Sequence, residues 1–447
     1  MHATAPSLRE DPRGCPVGTR SATAVDHAET GLRRLVTYVG DPFPDLDAAI
    51  AADPGWVLPH VMKANALLTM TEHGLARTAA ECLAHAEALP ASIDRERGHL
   101  AATRLCAEGR WDAACRAWDD LLLEHPRDLV ALHAAHLFDF YRGDSRNLQR
   151  RVTRVMPAWS PSTPLGSHVF GMHAFGLEEN NRFDLALEAA HAALSVERRD
   201  AWAIHAVAHV HEMRGEHEAG AAWLISREPD WAPDNALAYH NAWHLALFAL
   251  ERGDTDTALA VLDERVAPGA VTAMQRLDVA ALLWRLRLMG VDAGDRWRHA
   301  AAGWPLDEDE TGFYAFNDFH AAMAMAGAGR WEDADAILAR VRARGGDTTD
   351  LGAMARDVGV PLIEGLIDHA RGRHGNAVRK LAAVRDTCHR FGGSHAQRDL
   401  VDLTLMDAAA RGGQAALAGH LLNERRLAKP DTPLTRFWSA RCAPGRP

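Results

Sequence analysis

One short loop recurs along the chain and limits what it can fold into. Gly109-Arg-Trp-Asp-Ala-Ala114, Gly215-Glu-His-Glu-Ala-Gly220, Gly253-Asp-Thr-Asp-Thr-Ala258 and Gly329-Arg-Trp-Glu-Asp-Ala334 each set a glycine five residues before a small residue. Asn181-Arg-Phe-Asp-Leu-Ala186 is the same loop with asparagine, which tolerates the left-handed backbone of a helix end. Gly143 and Gly290 fall in phase, Gly372 and Gly412 mark looser copies, and successive loops lie 34 to 43 residues apart. That period holds two helices and two turns, the unit of an α-solenoid. Between the loops Ala, Leu, Arg and Glu dominate, and nothing alternates apolar with polar as a strand does. The chain reads as all-α.

The unit resembles the tetratricopeptide repeat. Ala102, Ala174, Ala208, Ala246 and Ala322 each stand seven residues before a loop residue, where that pattern places a small side chain. Ala114, Trp118 and Pro126 supply the second half of one copy. The expectation is a right-handed superhelical solenoid of about nine tetratricopeptide-like helix pairs, forming a single domain over residues 26–447. Residues 1–25 read as a loose N-terminal tail, residues 303–312 as an acidic hinge, and the chain from Lys429 as an irregular cap. Asp200 and Ser167 suit helix N-caps, each offering a side-chain oxygen to orphan amides.

Composition excludes several classes. A net charge of −11 argues against a nucleic-acid partner, which needs a basic face. The six cysteines show no C-x-x-C spacing, so neither a disulfide framework nor a thiolate zinc site is expected, and a reducing cytoplasm fits. Residues 1–25 lack the apolar core of a secretion signal, and no apolar run is long enough to span a bilayer.

At a finer grain the chain resembles the tetratricopeptide repeat protein 38 family. The segments that carry the likeness are GMHAFGLEE (171–179), HAVAHVHEM (205–213), HNAWHLALF (240–248), FNDFH (316–320) and GGSHAQRDL (392–400). It covers roughly residues 30–440 and implies a cytosolic α-helical repeat protein. It brings no established activity to particular residues.

Counting back from each loop residue orders the histidines. Thirteen before stand Glu96, His168, Trp202, His240 and Phe316; ten before stand His99, His133, His205 and Trp243. Nine before stand His244 and His320, and six before stands His209. Offsets of thirteen, ten and six share one helical face, so these side chains should line the concave surface. A lone histidine on a helix is more often a surface or core residue. His191, His217, His299, His374 and His420 read as such surface or satisfied core residues, and His173 and His211, at packing offsets, as core.

Two functions follow. The first is a small-molecule binder or enzyme of hydrolase or lyase type, with a histidine-lined pocket doing general acid–base chemistry on a small polar or anionic substrate. His205, His209, His240, His244 and Glu212 are its candidate catalytic groups. His99, His133, His168, Phe175, Glu178, Trp202, Asn241, Trp243, Phe316, Asn317, His320 and Arg398 are candidate ligand contacts, Arg398 for an anionic group. A metal is not expected, or only through His205, His209, His240 and His244, since H-E-x-x-H is absent and H-x-x-x-H alone is weak. No cofactor can be assigned, and no phosphate-binding G-x-x-x-x-G-K-[ST] loop occurs. The alternative is a protein-interaction scaffold that holds a peptide or partner helix in the concave groove.

Overall fold

A computed structural model of the chain describes residues 9–91, 93–307 and 310–443. Eleven antiparallel helix pairs follow one another among these residues. They are Ala22–Thr37 with Phe43–Ala52, Val57–Leu68 with His73–Glu87, Asp94–Ala107 with Trp111–Glu124, and Leu129–Tyr141 with Ser145–Val155. The central pairs are Gly166–Glu178 with Phe183–Val196, Ala201–Arg214 with His217–Ser226, and Ala238–Glu251 with Thr255–Val261. Ala273–Leu288 with Arg296–Gly303, Ala315–Gly327 with Trp331–Arg344, Val360–Ala370 with His374–Val384, and His395–Arg411 with Ala415–Ala428 complete the array. The fold is an all-α solenoid.

The loop residues, eight glycines and Asn181, account for nine of the eleven turns. Gly109, Gly143, Asn181, Gly215, Gly253, Gly290, Gly329 and Gly372 all take positive φ. In the last turn Gly413, one residue beyond Gly412, does so. The two pairs missing from the expected nine come first, where non-glycine Tyr38 (φ 60°) and Thr71 (φ 58°) end the first helices in the left-handed backbone, Tyr38 followed by Gly40 (φ 73°). A count of glycine loops passes over them.

The small residue five places after each loop packs between helices. Ala114, Ala186, Ala258 and Ala334 are at most 1 % exposed. A Cβ on Gly220, which holds the same place, would lie 2.3 Å from the Phe248 ring. Gly220→Ala is therefore expected to cost about 1–3 kcal/mol by overpacking, read as a lower denaturant midpoint at unchanged slope. An unchanged midpoint would contradict this packing.

Several expectations change in detail. Residues 1–8 of the supposed tail lie outside the described residues. The rest of it packs, with Arg9–Glu10 pairing antiparallel to Pro16–Val17, the one sheet among the described residues. Buried Arg13 reaches Glu29 there at 2.7 Å. The 303–312 stretch is held rather than hinged where described, with Arg340 donating to Leu306 O and Thr311 Oγ1. Its residues 308–309 lie outside the described residues. The cap is ordered: Pro433–Arg441 is a helix that buries Trp438. Asp200 caps its helix as expected, accepting from Ala203 N. Ser167 does not, because its helix starts one residue earlier, after left-handed Leu165. Among the described residues no helix is long and apolar enough to cross a membrane.

The first helices of the central pairs are buried almost all round, because distant repeats meet across the concave side. Asn317 donates to Thr71 O at 2.9 Å, and Tyr314 Oη donates to Tyr141 O at 2.9 Å. Ala273 N donates to Glu72 Oε1 at 2.9 Å, and Ala236 N to Tyr38 O at 2.7 Å. From the C-terminal side, Arg285 donates to Ala396 O at 2.6 Å and Lys429 Nζ to Glu212 Oε1 at 2.6 Å. The solenoid has curled until its turns touch. Its concave side is an interior.

Candidate functional site

His205 and His209 sit one turn apart on Ala201–Arg214, and His240 and His244 one turn apart on Ala238–Glu251. These helices begin neighbouring pairs. His205 and His209 stand ten and six residues before their loop glycine, His240 and His244 thirteen and nine before theirs. The second pair is thus set three residues earlier in its repeat, and the packing of the two helices brings all four imidazoles to one place. Ring centroids are 4.4 Å apart for His205–His209, 4.9 Å for His205–His240, 4.6 Å for His209–His244 and 5.0 Å for His240–His244. One nitrogen from each ring falls within 4.8 Å of all the others.

Polar groups this deep normally find partners. Both ring nitrogens of His205, His209 and His244 have no hydrogen-bond partner among the described residues. The exceptions stand at the back of the quartet. His240 Nδ1 lies 2.6 Å from Asp278 Oδ2, and His209 Nδ1 lies 3.3 Å from Glu178 Oε2 without hydrogen-bond alignment. Burial holds these imidazoles neutral: it lowers His209 to about 4 and drives His205 and His244 well below the usual range, with neighbouring imidazoles adding to the effect. Burial also pushes the Glu178 carboxyl well up, and neighbouring Glu179 adds to the rise.

His205 and His240 open onto a chamber of about 370 Å³. Tyr38, His133, Phe175, Trp202 and Tyr239 form much of its wall, and Arg34 and Asp41 stand among its lining residues. Tyr38 stacks on Trp202 with centroids 5.7 Å apart, and Trp202 leans on His205 at 5.2 Å. Trp243 stacks on His240 at 5.3 Å with the planes 12° apart. Asn241 is buried in the same helix with both amide atoms unpartnered.

Other expected contacts serve different purposes. His99 is bonded to Asp128 at 2.8 Å, and His168 lies 3.1 Å from Asp200. Both aspartates cap the first helix of the next pair, so these histidines tie neighbouring repeats instead of facing a ligand. Glu212 is engaged by Lys429, and Asn317 by Thr71. His320 is fully buried against Phe316 and Phe319, its Nδ1 on Phe316 O at 2.8 Å, and is not part of the chamber wall. Phe316 packs on Phe391. Arg398 lies on a separate, more polar cavity of about 620 Å³, where Glu179 Oε2 accepts from it at 3.2 Å. Its charge is thus already met inside the protein.

The two histidines expected in the core are not there. His173 is half-buried beside Thr153, and His211 lies near the surface with Nδ1 2.7 Å from Glu216. Tyr38, Tyr239 and Asp278 are site residues that the register missed. Tyr38 arrives from a loop of the first pair, and Asp278 carries no repeat offset of its own.

Fold and site together define a closed helical-repeat protein with a histidine-floored interior chamber. No protein-family model matches the chain. Among solved structures it is similar to one described as the APC/C hetero-tetramer Cut9–Hcn1, at 12 % identity and a TM-score of 0.37, over 87 % of this chain and 78 % of that one. It is also similar to yeast Tom70, at 11 % identity and a TM-score of 0.32, over 94 % and 87 % of the two chains. At such values neither likeness carries an argument about site or partner.

Proposed function

We propose that the protein binds a small polar molecule in the interior chamber and acts on it by proton transfer through its histidines. The supporting observation is the floor of the chamber, where unpartnered, neutral His205 meets His240 braced by Asp278. A carboxylate on Nδ1 fixes the ring and leaves Nε2 free as a general base, the role such a pair plays in hydrolytic sites. The volume lies within the range of small-molecule sites, about 300–1,000 Å³. Parallel Tyr38 and Trp202 suit a ligand with a planar ring. With Arg398 committed elsewhere and both Arg34 and Asp41 in the lining, the chamber has no built preference for an anion. A cytoplasmic setting agrees with six unpaired thiols, and the likeness to the tetratricopeptide repeat protein 38 family belongs to this reading through its sequence segments.

The test is a thermal-shift screen of tag-free protein against small polar metabolites, repeated with Trp202→Ala and His205→Gln. A hit should raise Tm in the wild type and lose that shift in both variants, while the outer-surface variant His299→Ala keeps it. Equal shifts in all four proteins would overturn the reading.

A protein scaffold is the second reading, favoured by the large surface that any helical array presents. Because the concave side is filled, a partner would have to dock on outer faces. A screen without a single chamber-dependent hit would support it.

A further inference from the structure

We propose that His205, His209, His240 and His244 bind one divalent first-row transition ion of the zinc class. The inference rests on the chamber reading for the site and revises its chemistry, because an Nε2 that holds the ion is not free to act as a general base.

Three observations carry it. The first is convergence. Four nitrogen donors from two adjacent helices lie within 4.8 Å of one another, and three of the four residues are at least 98 % buried. Zinc holds imidazole nitrogens at about 2.0–2.1 Å, so a tetrahedral set stands about 3.4 Å apart. Small side-chain rotations would close the remaining gap, because i and i+4 positions already aim each pair at the same point. All-imidazole donor sets suit zinc, copper, nickel or iron, and not magnesium or calcium, which take oxygen ligands.

The second observation is the set of unpartnered nitrogens. A buried polar atom without a hydrogen bond is costly, and this cluster holds six such nitrogens on His205, His209 and His244. Elsewhere in the protein, imidazoles facing the next repeat have found carboxylates: His99 with Asp128 and His369 with Asp407, both at 2.8 Å. The quartet is where imidazoles face one another instead. A shared cation satisfies one nitrogen on each ring at once.

The third lies behind the ligands. Metal-bound histidines almost always present their second nitrogen to a carboxylate, a carbonyl or water, which fixes the ring and strengthens the donor. Here Asp278 stands 2.6 Å from His240 Nδ1 and Glu178 3.3 Å from His209 Nδ1, both carboxyl groups fully buried. That leaves Nε2 of His240 and of His209 for the ion, while His205 and His244 have either nitrogen to offer. Asp278 and Glu178 stand close enough to offset a dication's charge in the low-dielectric interior, a bound cation favouring the ionised form of Glu178 that burial alone opposes. Glu179, grouped with Glu178 and His209 by the same spacing, already accepts from His395 N and Arg398, so it is a weaker ligand.

The test is a titration of tag-free, chelator-stripped full chain with Zn²⁺ by calorimetry, and with Co²⁺ by visible absorption. The expected result is one ion per chain, with cobalt bands of tetrahedral character. His244→Gln and His209→Gln should abolish the cobalt bands. Asp278→Asn, which leaves all four ligands in place, should weaken binding about 10–100-fold. If a histidine variant fails to fold, Asp278→Asn alone decides. No binding by the wild type, or Asp278→Asn binding as tightly as the wild type, would overturn the proposal. The two readings can fail separately. Chamber-dependent small-molecule shifts without metal leave the chamber and remove the ion; metal binding without any such shift does the reverse.

Discussion

Acidifying the metal-free protein from pH 7 to pH 5 is expected to unfold it cooperatively, well above the range in which carboxylates titrate. The cause is the number of histidines the fold keeps neutral. Burial lowers His209 and His320 to about 4 and His136 to about 3, and each is at most 1 % exposed. In the unfolded chain the same rings titrate near 6.5. Between these values the unfolded state binds more protons than the native state, so stability is full above pH 6.5 and falls as pH drops toward 4. Each such ring forfeits on the order of 2 kcal/mol by pH 5. Asp318 works against this: burial pushes its carboxyl up to about 7, so it favours the fold at lower pH and offsets roughly one histidine. His168 also opposes, since Asp200 more than makes good the burial and holds that ring above its usual value. With His205 and His244 added to the losing side, the deficit approaches a typical total stability of about 5–15 kcal/mol. Circular dichroism against pH checks it, and a midpoint below pH 4 would contradict the neutral-histidine interior. Added Zn²⁺ should move the midpoint to lower pH if the quartet binds it.

Lys429→Met is expected to cost about 3–5 kcal/mol, the usual penalty for stranding a buried charge. Lys429 is 5 % exposed and donates to Glu212 at 2.6 Å and Glu251 at 3.2 Å. Burial alone would push Glu251 up, yet Lys429 and Arg425 hold it down to about 2. The substitution keeps the length and apolar stem of the side chain, so the loss reports the charge and not a cavity. Glu251 retains Arg425 at 2.6 Å, which leaves Glu212 as the more stranded partner. Adding Glu212→Gln should therefore recover part of the loss, a coupling that urea unfolding of both single variants and the double variant would measure. Additive effects would show that the contact carries little energy.

Much of the architecture was legible in the chain because helix ends obey local rules. A left-handed loop residue and a small residue five places on need no knowledge of the rest of the protein. The two histidine pairs were legible for the same reason, since residues four apart share a helix face, although they stand three residues out of phase in their repeats. What the register could not say is whether a given side chain meets a cavity, a cap or another repeat. His99 and His168 share the stripe of His205 and His240, but the aspartates that cap the next helices reach them first. Arg398, Asn317 and Glu212 looked free because their partners, Glu179, Thr71 and Lys429, lie more than 200 residues away. Tyr38 was missed because it belongs to closure of the superhelix, which no local pattern encodes. Asp278, 38 residues from His240 on the next repeat, was missed because it stands outside the histidine stripe.

That closure changes how the interior communicates with the outside. In an open array each repeat leans only on its neighbours, and a ligand reaches the groove from the side. Here the turn after the first helix lies over the chamber, latched where Val39 bridges Asn235 and Tyr38 O accepts from Ala236 N. Tyr38 is at once part of that latch and part of the wall. The chain's first helix pair thus acts as the door to a room built by its middle. Residues made earliest cover a space whose floor is made some 200 residues later, so a ligand of the kind proposed would enter and leave past that one pair.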